Sequence, residues 1–139
     1  LPHETGVSRV LIVDDHRNTR ESLAIGFAVS GWQADTAGSA DEALRLLHAG
    51  PYDCVITDVR MPGKSGIELV RLARDRFPHL AVVLMTAYAL TPEETAVAAA
   101  AGALSFIKPV TAEMLSGVLA AHRPRAVVPP ASTASPTRS

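Results

Sequence analysis

Five short strand-like runs, each followed by a stretch with helical spacing and four of them breaking off at a polar residue, constrain the fold more than any other feature. Val10-Leu11-Ile12-Val13 is too short for a helix and stops at Asp14 and Asp15, the pattern of a buried parallel strand. From about His16 to Ser30 the spacing turns helical. Leu23 and Phe27 fall four apart, Thr19 and Ser30 lie on nearby positions of the same side, and Gly31 ends the segment. Trp32 to Ala37 alternates well enough for a second strand. Ser39 is a predicted N-cap for a helix that turns Ala40, Ala43, Leu44 and Leu47 inward, with Asp41 and Glu42 in its first turn, where the helix dipole favours acids.

The third strand, about Asp53 to Thr57, runs into Asp58 and the turn Met61-Pro62-Gly63. Ser65 is placed to cap a helix reaching Phe77, in which Leu69, Ala73 and Phe77 repeat beside Val70 before Pro78 stops it. Ala81 to Met85 is the fourth run and ends at Thr86-Ala87-Tyr88. Thr91, Pro92, Glu93 and Glu94 then read as an N-cap, an N1 proline and first-turn acids of a helix through about Ala101. Gly102 closes that helix, Leu104 to Ile107 gives a short fifth strand, and Lys108-Pro109 follows directly. The last helix covers Thr111 to His122, with Met114, Leu115, Val118 and Leu119 on one face.

Beyond Arg123 the periodicity disappears and Pro124, Pro129, Pro130 and Pro136 alternate with Ala, Ser and Thr, a composition that cannot offset its ordering entropy by burial. The expected organisation is an extension over residues 1–8, one domain over 9–122, and a flexible tail or linker over 123–139. A length of 139 residues suits one core. The formal charge of -1 gives no basic excess for nucleic acid or an anionic membrane. A single cysteine, Cys54, sits inside an apolar run, so no internal disulfide forms and the thiol is read as a small buried hydrophobe. No stretch is long and apolar enough for a membrane span, and the expected location is cytoplasmic.

Five strand-helix units in a row imply a parallel sheet, because parallel neighbours need crossovers and right-handed crossovers put helices on both faces. Sites in such sheets lie beyond the carboxyl ends of the strands. The residues there are Asp14, Asp15, Asp58, Thr86 and Lys108, all polar.

Two carboxylates about 5 Å apart repel by roughly 3 kcal/mol at an effective dielectric near 20. Three on one rim therefore call for a cation, and Mg²⁺ suits a few carboxylates with water and a substrate phosphate. Lys108 would bring an ammonium from the other side, pairing with Asp58 at rest and with a phosphoryl oxygen later, and Thr86 would donate to that same oxygen. Such a site makes Asp58 a nucleophile toward phosphorus, with an acyl phosphate as product. No Gly-rich phosphate cradle is present, which argues against a nucleotide donor held by this chain.

With those residues in view, the chain resembles the receiver domain of two-component response regulators from about Ser8 to His122. The matching pieces are Val10 to Asp15, Asp58 to Gly66, Met85-Thr86-Ala87-Tyr88, Ala101-Gly102-Ala103 and Phe106-Ile107-Lys108-Pro109. The resemblance implies a flavodoxin-like (βα)5 fold, a doubly wound five-stranded parallel sheet. It implies that Asp58 accepts a phosphoryl group from a sensor histidine kinase or a phosphotransfer protein. Asp15, Asp58 and the backbone carbonyl of Arg60 would bind Mg²⁺, with Asp14 acting through water. Thr86 and Lys108 would report the phosphoryl group to the face made by the fourth helix, fifth strand and fifth helix, which would control an output domain or partner or form a homodimer. The small side chain of Ala87 suits access to Asp58.

One departure stands out. The family usually carries an aromatic switch residue three places before the lysine, whereas Ser105 holds that place and Phe106 lies two before Lys108. Either the fifth strand is one residue shorter or the aromatic part of the switch is altered, and Phe106 is equally readable as core. Arg60 and Tyr88 occupy the positions where the family tunes phosphoryl lifetime, and their bulk points to slow hydrolysis. His16, although beside the acids, is expected to be a surface residue at a helix start. Two other functions fit part of the pattern: a Mg²⁺-dependent phosphatase passing through an aspartyl phosphate, and a non-catalytic interaction module of the same fold.

Overall fold

A computed structural model describes residues 7–122, in which five strands alternate with five helices. The elements are β1 (Arg9–Val13), α1 (Arg17–Val29), β2 (Gln33–Ala37), α2 (Ala40–Ala49), β3 (Cys54–Asp58), α3 (Gly66–Arg76), β4 (Ala81–Thr86), α4 (Pro92–Ala100), β5 (Leu104–Ile107) and α5 (Ala112–His122). All strand pairs are parallel and the order is β2-β1-β3-β4-β5. This is the expected doubly wound, flavodoxin-like arrangement. The order reverses direction between β1 and β3, and a crevice opens at such a point. The stretch 123–139, expected to be a flexible tail or linker, lies outside the described residues, as do residues 1–6 of the expected extension.

Alternation along the central strands divides the interior into two cores. Leu11, Val13 and Val55 face one side with Leu47, Leu69, Val70 and Ala73. Val10, Ile12, Cys54 and Ile56 face the other with Leu23, Phe27, Leu115 and Leu119. Because β1 and β3 are covered on both sides, their sequences read as continuous apolar runs with no polar alternation. Burying each such side chain contributes about 1.5–3 kcal/mol. Edge strand β2, with its mixed burial, carries Asp35 and Thr36 instead.

Local chemistry fixes the helix starts. Ser39 Oγ accepts from Glu42 N at 3.1 Å and Ser65 Oγ from Glu68 N at 3.3 Å. Thr91 and Glu94 form the reciprocal capping box that the sequence suggests, with proline at the first helical position. At Gly66 the constraint is close approach, since a Cβ there would fall 2.0 Å from the carbonyl oxygen of Asp58. Only glycine lets α3 begin this close to the end of β3.

Two inward assignments are corrected. Ser30 is exposed at the C-cap of α1, and Met114 is 42% exposed on α5. Ser30 falls where α1 ends, just past the buried stripe of Leu23 and Phe27, and Met114 lies to one side of the buried stripe of Leu115 and Leu119. Phe77, the residue that ends α3, is partly buried and packs against the core, as its spacing indicated.

Candidate functional site

The strands end where the polar residues begin. Asp14 follows β1, Asp58 closes β3, Thr86 closes β4 and Lys108 follows β5. The backbone ladder continues just past the strands: Asp14 N donates to Ala37 O at 3.1 Å, Val59 N to Met85 O at 3.0 Å, and Lys108 N to Thr86 O at 2.8 Å. Main-chain bonds thus hold these strand ends in register, independently of their side-chain contacts.

Asp14 is fully buried, and Asp58 and Thr86 are nearly so. Burying acids costs several kcal/mol unless they are paired, and the pairing is supplied by Lys108. Its Nζ donates to Asp14 Oδ2 at 3.1 Å and lies 3.5 Å from Asp58 Oδ1. Its shorter bond thus runs to Asp14, with Asp58 at ion-pair distance. Asp58 Oδ1 also accepts from Val59 N at 2.9 Å. Burial pushes the Asp58 carboxyl above its ordinary range; the Lys108 charge pulls it back and the Asp14 charge adds to the rise. Burial works against the charged Lys108, but the hydrogen bond and charge of Asp14, joined by the charge of Asp58, hold its ammonium above the usual value.

Asp14 has a further role. Its Oδ1 accepts from His16 N at 2.9 Å, which seats the start of α1, and lies 3.3 Å from His16 Nδ1. Asp15 Oδ1 is buried and makes no hydrogen bond among the described residues; His16 Nδ1 stands 3.4 Å from it. An acid oxygen left without a donor among other acids suits a bound cation. Ligand atoms of Asp14, Asp15, His16 and Asp58 all lie within 4.8 Å of one another. The residues thus fit a hard divalent ion with oxygen ligands. His16 is exposed, as expected, yet stands closer to this group than its sequence position alone indicated.

On the other flank Thr86 is occupied locally and Arg60 by a distant acid. Thr86 Oγ1 donates to Tyr88 O at 2.6 Å and accepts from Tyr88 N at 3.1 Å. Tyr88 is exposed, and so is Ala87. Arg60 points across to α4 and forms a two-pronged ion pair with Glu94. Glu94, singled out in the sequence only as a first-turn acid, is a neighbour of the site that sequence reasoning missed: 34 residues separate it from Arg60 and no local pattern joins them. Phe106 pairs with Met85 in the ladder and packs half-buried against the core lined by Phe27 and Leu115, while Ser105 is exposed.

Comparison with known proteins agrees with this geometry. The response regulator receiver domain family matches residues 10–120, and the chain belongs to that family. The chain is similar to the response regulator protein FleR of Pseudomonas aeruginosa, at 36% identity over 83% of this chain and 24% of that protein. The chemotaxis protein CheY of the same organism is 38% identical over 77% of this chain and 89% of its own length. Among solved structures, response regulator TrrA of Thermotoga maritima, in complex with Mg²⁺-BeF, superposes with a TM-score of 0.74 at 32% identity, covering 83% of this chain and 98% of that one. The chain spans about a quarter of the length of FleR and of the regulatory protein AtoC of Escherichia coli.

The domain is therefore a response regulator receiver, with an acidic pocket of Asp14, Asp15 and Asp58 typical of the phosphoacceptor site. It is a signalling phosphoacceptor and not an enzyme in its own right, which sets aside the phosphatase reading. A receiver domain implies a cognate histidine kinase. Among the described residues no helix is long and apolar enough to cross a membrane.

Proposed function

We propose that Asp58 is the phosphoacceptor, taking its phosphoryl group from a phosphohistidine of a sensor kinase or phosphotransfer protein in the cytoplasm. The observation that carries this is the Lys108 ammonium set between two buried acids, 3.1 Å from Asp14 and 3.5 Å from Asp58, with the three residues arriving from three different strands. A carboxylate oxygen of Asp58 forms the bond to phosphorus as the bond from phosphorus to the donor imidazole breaks, and the imidazole keeps the electron pair and takes up a proton. Lys108 is positioned to neutralise charge that develops on the phosphoryl oxygens. Asp15, Asp58 and the backbone carbonyl of Arg60 would hold Mg²⁺, with Asp14 acting through water. Bound there, the ion would neutralise the acids and stabilise phosphoryl negative charge.

Thr86 responds by exchanging its bond to Tyr88 O for one to a phosphoryl oxygen, which loosens the chain ahead of α4. Ser105 is exposed and Phe106 is packed inward, so Phe106 serves as core and the switch runs through Thr86 and Tyr88 without a swinging aromatic. Arg60 and Tyr88 shield the acyl phosphate and lengthen its life. The α4-β5-α5 face, where Ile107 and Met114 are exposed, is the surface offered to an output domain, a partner or a second copy.

The test is labelling by acetyl phosphate with Mg²⁺. We expect a hydroxylamine-labile acyl phosphate that disappears in Asp58→Asn and in excess EDTA. Retained labelling in that variant would move the acceptor to another residue.

A further inference from the structure

Arg60 sits two residues after Asp58, in the loop that shapes the site, yet its side chain turns toward the start of α4. There Glu94 receives both arms of the guanidinium: Oε2 accepts from Nη1, and Oε1 accepts from Nη2 at 3.2 Å. Oε1 simultaneously accepts from Thr91 N at 2.9 Å, the returning half of the capping box. One carboxylate therefore closes the N-terminus of α4 and ties it to the loop that carries the phosphoacceptor.

The electrostatics make the tie exchangeable. Glu94 is the main influence on Arg60, but the charge of Asp58 also reaches its guanidinium. A phosphoryl group brings about -1.5 to -2 of charge and three acceptor oxygens to the end of β3. The planar fork of an arginine matches such oxygens as well as it matches a carboxylate. Arg60 is 49% exposed at its side chain, so swinging from one partner to the other buries and unburies little. An ion pair this accessible shifts an equilibrium only about 1.5- to 5-fold, a preference that a phosphoryl dianion can overcome.

We propose that Glu94 is a positioning residue that holds Arg60 away from Asp58 at rest and gives it up to the phosphoryl group, so that occupancy of Asp58 releases the tether on α4. This rests on Asp58 being the phosphoacceptor. The exchange is separate from the Thr86 movement, because it begins on the β3-α3 loop and ends on the cap of α4, whereas Thr86 is bonded to the backbone of Tyr88. Glu94 keeps its bond to Thr91 N after release, so the helix stays capped while it loses its anchor.

Glu94→Gln tests this without unfolding the helix start, since glutamine also serves at the third position of a capping box. The measurement is two-dimensional NMR of the full 139-residue chain titrated with Mg²⁺ and beryllofluoride. The amides of Val59 and Thr86 report occupancy of the site, and Arg60 Nε–H with the Thr91 and Glu94 amides reports the tether. In the wild type both sets should shift together. In Glu94→Gln the Arg60 signal of the free protein should already lie toward its bound position, and the apparent beryllofluoride affinity should rise about 1.5- to 5-fold, the effect of removing the competitor. If Val59 and Thr86 shift while Arg60 stays fixed, or if the variant binds no more tightly than the wild type, the exchange is wrong and the phosphoacceptor reading survives. If neither Val59 nor Thr86 responds in the wild type, the phosphoacceptor reading fails and takes the exchange with it.

Discussion

On the β1 and β5 side of Asp58, two buried acids share one ammonium, and the contacts of that ammonium cross from one strand end to another. On the β4 side, Thr86 is bonded to the backbone two residues on, and Arg60 reaches away to a partner on α4. The first flank is built for holding charge: low exposure makes each interaction strong and any unpaired group costly. The second has bonds that are local or solvated, and on the proposed reading each would be exchanged for one to a phosphoryl oxygen at small cost. That reading separates binding from response across a single side chain.

The contrast gives a ranked set of expectations. The largest effect is loss of the acceptor itself, in Asp58→Asn, which should reduce acyl phosphate to background. Next comes Lys108→Met, which leaves Asp14 buried beside Asp58 with no cation. It should destabilise the metal-free protein by about 2–3 kcal/mol, below the cost of a fully buried pair because Lys108 is partly exposed. It should also slow phosphorylation by acetyl phosphate by about 10²-fold, the scale of losing one charge-stabilising donor. Chemical denaturation in EDTA and labelling rates check the two parts, and a variant as stable and as fast as the wild type would break the claim that this flank is preorganised.

Thr86→Val should behave differently. Removing the hydroxyl deletes both bonds to Tyr88 and should cost about 1 kcal/mol in stability, with labelling retained. The amides of α4 should no longer follow phosphorylation. If instead labelling fails and the α4 response persists, the two flanks have been assigned the wrong way round.

The smallest effect concerns pH. The folded-state carboxyl of Asp58 titrates above its unfolded value, chiefly through burial. Its contribution to stability is therefore complete below the unfolded value and fades as pH rises through the folded one. In metal-free protein Asp58→Asn should then be more stable than the wild type by about 1 kcal/mol at neutral pH, the order of a screened carboxylate repulsion. The gain should shrink toward zero as acid protonates the wild-type residue. Melting curves in EDTA from pH 4 to 8 would show it. Saturating Mg²⁺ should reverse the order, because the variant lacks a ligand oxygen charge.

Much of this was readable from residue order. Five apolar runs, four of them ending at Asp14, Asp58, Thr86 and Lys108, with helix signals between them, are enough for the sheet, its helices and the rim. Period-2 and period-3.6 patterns are local, and the rule that sites lie at carboxyl ends of parallel strands needs no distances. Ser39, Ser65 and Thr91 likewise declare their helices within three residues.

What depended on packing was the choice of partner. Nothing in the order of residues says that Lys108 bonds Asp14 more closely than Asp58, that Glu94 meets Arg60, or that Phe106 turns inward while Ser105 faces out. A lysine placed among several acids, or a strand residue with a choice of two faces, is settled by distances of a few tenths of an ångström and by which side of the sheet is already full. The sequence alone determined that acids, a hydroxyl and an ammonium would gather at one end of a parallel sheet, because strand direction and crossover handedness are set by the chain. Only the tertiary structure decided which of them touch, because Coulomb and hydrogen-bond energies depend on separations and burial that exist only once the strands and helices are packed.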